Sequence, residues 1–182
     1  MIRAFVALPL PESLCERLVM VAGTLPLRRV VAPENMHLTL AFMGEQPEPV
    51  IEEVHMALSR LRAPAFSITL AGLGTFGGPR PRNIHVCVVN EPGLDHLQRK
   101  VGDAVRGAGI EIPARRFVPH VTLARPGSGR LDMPRLERAL AAAMHFTAGP
   151  VEMREFALFR AHLGARRADY EILASYALED AR

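Results

Sequence analysis

Two histidines in this chain carry a threonine two residues further on: His37 in HLTLAFMG and His120 in HVTLARPG. Aligned on their histidines, the two octets share His, Thr, Leu, Ala and Gly at the same offsets. Imidazole exchanges a proton near neutral pH, so one ring can take a proton from a nucleophile while a second gives one to a leaving oxygen. Threonine hydroxyls one step along each strand can donate hydrogen bonds to the same oxyanion. A base, an acid and charge-stabilising donors, with no covalent nucleophile, suit displacement at phosphorus. One H-x-T alone is most simply an ordinary half-buried strand. Two in matching positions point to a shared site, and the likeness of the segments leaves open which histidine is acid and which is base.

Side chains alternate faces along a strand. His37 and Thr39 are therefore expected on one face, opposite Leu38, Leu40 and Phe42, and His120 and Thr122 opposite Val121 and Leu123. The apolar faces should pack under helices and the polar faces should line a groove. The same alternation puts Arg125 on the Leu123 face, unless a bend before Pro126 swings it back.

The surrounding periodicity predicts the elements that hold these segments. Strands are expected at Ile2 to Leu8, Met36 to Met43 and Phe66 to Leu73. Two helices fall between them, one following Pro11-Glu12-Ser13 with Leu14, Leu18, Val21, Ala22 and Leu25 at helical spacing, the other carrying Ile51, Val54, Ala57, Leu58 and Leu61. The order then recurs: a strand from Asn83 to Val89, a helical stripe from Leu94 to Ala108, and the second histidine strand, His120 to Arg125. After these come a helix capped by Asp132 and strands near Val151 to Arg160 and Tyr170 to Leu178. The chain reads as a single bilobal domain over 1–182 with an internal repeat, approximately 1–76 and 83–178, and a pseudo-twofold relation between its lobes. The Gly-rich stretch Gly72 to Pro81 is expected to be the crossing between lobes or a mobile loop beside the site.

The 182 residues are long enough for a proper core, and 49% apolar with 23% charged residues is ordinary globular composition. No run approaches the length of a membrane span, and Pro9 and Pro11 close off the short apolar start, so a cytoplasmic protein is expected. Cys15 and Cys87 form no C-x-x-C and are expected to be small buried hydrophobes. No H-x-x-x-H or carboxylate-paired set suggests a metal. Arginine accounts for 21 of the 22 basic residues. The pairs Arg28-Arg29, Arg80/Arg82, Arg115-Arg116 and Arg166-Arg167 fit either phosphate contacts or a general composition bias. Of the remaining histidines, His55 and His96 are expected to be solvated on helices, and His145 and His162 to lie at the surface, the latter in a loop. His85 is read as a polar tip in the core or a substrate contact.

The segments RAFVALPLPE, APENMHLTLAFMGE, FSITLAGLGTF, RRFVPHVTLAR and YEILASYAL resemble the 2H phosphoesterases, and among them the RNA 2′,3′-cyclic phosphodiesterases, also called 2′-5′ RNA ligases. The resemblance spans nearly the whole chain. It implies an α+β fold of two pseudo-symmetric lobes, each a mostly antiparallel sheet with helices on the outer face and the active-site groove between them. It further implies hydrolysis of an RNA or nucleotide 2′,3′-cyclic phosphate end to a 2′-phosphate, without metal. No cofactor is expected, and a monomer is the default for a chain whose cleft is already internal. His37 and His120 match the catalytic histidines, Thr39 and Thr122 the motif threonines, and Arg125 the basic residue closing the second motif. Two positions depart from the family pattern: Val30 stands where an aromatic is usual, and His85 where tryptophan is often found. A binding module that holds phosphate without cleaving it, and a phosphodiesterase for 2′-5′ oligonucleotides, are the rival readings.

Overall fold

The computed structural model describes residues 1–27, 29–113, 116–127, 129, 131–164 and 168–180. Three of the arginine pairs, Arg28-Arg29, Arg115-Arg116 and Arg166-Arg167, fall wholly or partly outside these residues. The fold is α+β. Among the described residues, eight strands form one sheet: β1 (Ile2–Pro9), β2 (His37–Gln46), β3 (Phe66–Phe76), β4 (Asn83–Val88), β5 (His120–Ala124), β6 (Thr147–Met153), β7 (Glu155–Leu163) and β8 (Ala168–Ala177). Their order is β6-β3-β4-β5-β2-β1-β7-β8, and the named strands pair antiparallel throughout. The two histidine strands are the central pair. β3 pairs with β4 and β6, while β7, late in the chain, pairs with β1.

The helices α1 (Glu12–Gly23), α2 (Glu48–Ser59), α3 (Pro92–Gly107) and α4 (Met133–Ala142) carry apolar stripes at the spacing the sequence predicts. Leu14, Leu18, Val21 and Ala22 of α1, and Leu94, Leu97, Val101 and Val105 of α3, are buried in the same hydrophobic cluster as Leu38, Leu40, Val121 and Leu123. The carboxylate of Asp132 accepts from the Arg135 backbone N–H at 3.1 Å, which satisfies one of the orphan donors at the start of α4. The helices cross between strand groups. The helix that follows β1 packs over β5 and β6, and the helix that follows β4 packs over β2 and β3.

The Gly72 to Pro81 stretch is neither a crossing nor a loop at its start. Residues to Phe76 continue β3, which turns back on itself into β4 as a hairpin, with Arg82 N–H donating to the Phe76 carbonyl at 2.7 Å. Gly77, at φ +112°, supplies a turn conformation that a side chain would oppose. His162 lies on β7, not in a loop, and pairs with Glu171 at 2.8 Å. His96 is half-buried, and exposed His55 shares a 2.8 Å hydrogen bond with the Tyr176 hydroxyl.

Several ladders carry register shifts, and one of these recurs at the same place in both motif strands. Between β1 and β2 the register runs Val6↔Ala41 then Ala7↔Thr39, so Leu40 is an extra residue. Between β4 and β5 it runs Ile84↔Ala124 then His85↔Thr122, so Leu123 is extra in the same way. Each leucine and the alanine after it are buried together. A bulge of this kind inverts the alternation beyond it. Phe42 therefore stands on the His37 face, 61% exposed, instead of with Leu38 and Leu40. Arg125 is turned to the groove by the same device.

Candidate active site

His37 and His120 open β2 and β5, and each is fixed by its own approach segment. The His37 Nδ1 lies 2.8 Å from the Asn35 carbonyl, and the His120 Nδ1 lies 2.8 Å from the Val118 carbonyl. A carbonyl oxygen only accepts, so Nδ1 carries the proton in both rings. Nε2 is left as the nitrogen available for proton transfer. Pro33–Asn35 forms a single 3-10 turn ahead of β2, and the Asn35 amide donates to the Ala168 carbonyl at 3.0 Å. That bond ties the entrance of the first motif to the start of β8.

The central ladder pairs Leu38 with Val121. In antiparallel geometry this places His37 beside Thr122 and Thr39 beside His120, so each imidazole faces the other motif's threonine. The two histidines are then diagonal neighbours on one face, with Cα atoms about 7 to 8 Å apart. That gap suits a tetrahedral phosphate seated between two side chains.

A cleft of ≈ 440 Å³ opens at the His37–Thr122 end of this face, lined by Arg29, Val30, His37, Thr122, Arg125 and Tyr170 among others but not by Thr39 or His120. Val30 bridges to Ala124, is 49% exposed and forms part of the wall. The Arg125 guanidinium donates to the Tyr170 hydroxyl at 3.3 Å. A larger cavity of ≈ 910 Å³, bounded by Arg80, Arg82 and Pro126, contains neither motif histidine.

The rings around the two histidines differ. His37 packs against Phe5 at 4.8 Å and edge-on to Tyr170 at 5.2 Å, and Phe159 stacks on Phe5 at 5.0 Å. Phe5, Ala7, Ala157 and Phe159 form a second small apolar cluster, on which His37 sits. On the other side, His120 meets His85 at 4.9 Å and Phe76 edge-on at 4.9 Å, and Phe76 stacks on His85 at 4.2 Å. His85 is 3% exposed, which makes it a buried polar tip in contact with a motif histidine. Cys87, only half-buried, pairs across the ladder with His120, unlike the buried Cys15.

Burial lowers the His37 pKa to about 4, with Arg125 and His120 adding to the shift and the Asn35 carbonyl opposing it. Burial also lowers His120, again reinforced by Arg125 and opposed by the Val118 carbonyl. His85 is held at about 4 by burial and by the neighbouring His120. In the protein alone, the cluster therefore favours neutral imidazoles. Among the described residues, no group of three or more His, Cys, Asp or Glu side chains is placed to share a metal ion. None of the helices described is long and apolar enough to cross a membrane.

The sequence assigns expected roles to the two histidines, both threonines and Arg125 but none to Phe5, Asn35, Phe76, Asn83, Phe159 or Tyr170. Asn83 was within reach, because it alternates onto the His85 face of NIHVCVV. Asn35 acts on His37 through its backbone carbonyl, which no side-chain pattern reveals.

A family model described as the 2′-5′ RNA ligase superfamily matches residues 26–165. A Geobacillus stearothermophilus protein named RNA 2′,3′-cyclic phosphodiesterase is 33% identical over 182 residues, covering 96% of this chain; the match spans 56% of that protein. The Bacillus subtilis protein of the same name is 30% identical over 167 residues, 87% of each chain. Among solved structures, Escherichia coli LigT complexed with 3′-AMP superposes with a TM-score of 0.79 at 28% identity, over 97% of this chain and 98% of that one. A Thermus thermophilus structure gives 0.77 at 28% identity, over 99% and 100%. Fold and sequence thus agree, and the chain belongs to the 2′-5′ RNA ligase superfamily of 2H phosphoesterases.

Proposed function

We propose that this protein hydrolyses the terminal 2′,3′-cyclic phosphate of RNA to a 2′-phosphate, in the cytoplasm, as a monomer and without a metal ion. One motif imidazole takes a proton from water at Nε2 as the water oxygen bonds to phosphorus. The other, protonated, gives its Nε2 proton to the O3′ atom as the P–O3′ bond breaks. Thr39, Thr122 and Arg125 hold the non-bridging oxygens through the charged transition state. With an RNA 5′-hydroxyl in place of water, the same two proton transfers form a 2′-5′ linkage as the P–O3′ bond breaks, and in reverse they cleave that linkage back to the cyclic phosphate.

The observation that carries this reading is the crossed arrangement of His37 beside Thr122 and Thr39 beside His120, with both Nδ1 atoms committed to backbone carbonyls. The names of the relatives support the substrate class. The test is incubation of the purified protein with 2′,3′-cyclic nucleotides and cyclic-phosphate RNA ends in EDTA. Formation of 2′-phosphate ends is expected, and His37→Ala and His120→Ala should each slow it by about 10² to 10⁴. Loss of activity in EDTA, restored by a metal, would overturn metal independence. Tight binding without turnover would leave a phosphate-binding module, and turnover of 2′-5′ linkages alone would redirect the substrate.

A further inference from the structure

The two motif strands are alike, but the strands that flank them are not. Across the ladder, Ala7 faces Thr39, whereas His85 faces Thr122. One step on along the same face, Phe5 flanks the first motif and Asn83 the second. The first threonine thus has an apolar flank and the second a polar one.

That polar flank is wired. His85 Nδ1 lies 3.1 Å from the Asn83 side-chain oxygen, and the Asn83 side-chain nitrogen donates to the Thr122 hydroxyl oxygen at 2.9 Å. An amide oxygen only accepts and an amide nitrogen only donates, so the direction of both bonds is set. His85 must carry its proton on Nδ1, and Thr122 must accept. With its oxygen engaged from the β4 side, the Thr122 O–H is directed away from Asn83, toward the groove beside His37.

We propose that Asn83 and His85 are positioning residues that aim the Thr122 hydroxyl at the phosphate, making Thr122 the oriented oxyanion donor of the pair. The proposal rests on the phosphodiesterase reading above. His85 is suited to holding an amide rather than carrying protons to substrate. It is 3% exposed, covered by Phe76 and pressed against β3. Gly74 makes room for it, since a Cβ there would lie 2.7 Å from the His85 Nε2. Burial keeps the ring neutral, and a neutral ring has a single N–H to give. A donor already pointing at the site of charge development needs no reorganisation in the transition state.

Steady-state hydrolysis of a 2′,3′-cyclic nucleotide by a double-mutant cycle tests this. Asn83→Leu and His85→Phe should each lower kcat about tenfold or more, with KM little changed. In a Thr122→Val background neither should cost anything further, because the hydroxyl they orient is gone. Equal losses in both backgrounds, or no loss in the wild-type background, would overturn the relay. A second measurement is independent of activity and of how the variants fold. The ¹⁵N shifts of His85 in the wild-type protein should report a neutral ring with its proton on Nδ1, and a proton on Nε2 overturns the relay. An inactive wild-type protein that gives the Nδ1–H signal would sink the phosphodiesterase reading and leave the wiring standing.

Discussion

An anion seated at Arg125 reverses the field that His37 and His120 feel. In the protein alone the guanidinium and burial both push the imidazoles toward neutrality. A bound phosphate screens the guanidinium and favours imidazolium, so the histidine pKa values should rise together. Histidine NMR titrations with and without inorganic phosphate check this, and by linkage phosphate should bind more tightly as pH falls through that range. Activity should follow a bell-shaped pH profile whose limbs belong to the coupled pair. Stability follows a related rule. His37 and His85 titrate near 4 in the native protein and near 6.5 when ordinary, so the unfolded chain takes up protons first. Stability is then full above about pH 6.5 and declines as pH falls toward about 4. Urea midpoints should drop across that window, and His85→Phe should flatten part of the drop.

At the scale of elements, the repeated bulge does most to complete the site. Leu40 and Leu123 each insert one residue, and the Ala41 and Ala124 that follow are small enough to lie buried beside them. Ala124→Leu should overpack this corner, costing about 1 to 3 kcal/mol by urea denaturation and lowering turnover by displacing Arg125. The bulge also marks where sequence reasoning stops. Period-two alternation placed His37, Thr39, His120 and Thr122 correctly because the strands are regular there. It put Phe42 and Arg125 on the wrong face because an inserted residue leaves hydrophobicity unchanged while inverting parity. Leu-Ala at the same offset in both octets was the visible trace of the bulge, but a buried pair of apolar residues also fits an unbroken strand. Helices were legible from their stripes alone. The Gly-rich hairpin was not, because its glycines occur both in β3 and in the turn.

For the whole molecule, the two halves of the sheet meet at a narrow seam. Leu38 and Val121 supply the paired position between β2 and β5, and beyond it β5 is flanked by the segment at Val30 and Val31. What spans the seam is the helical layer, with α1 over β5 and β6 and α3 over β2 and β3, in one continuous hydrophobic cluster. The protein should therefore unfold in one transition, with circular dichroism and tyrosine fluorescence giving the same midpoint. Leu18→Ala, at a fully buried position of α1, should cost about 2 to 5 kcal/mol and move both signals together. Fragment 1–76 alone should remain unfolded, since β3 would lose both β4 and β6. The seam also has a mechanical meaning. With few backbone bonds across it, the aperture between the imidazoles is gauged by how the helices seat on the back of the sheet. A core substitution there, on the side no substrate touches, widens or narrows the distance a proton must travel. Such distant changes should alter turnover while leaving affinity for the phosphate nearly as it was.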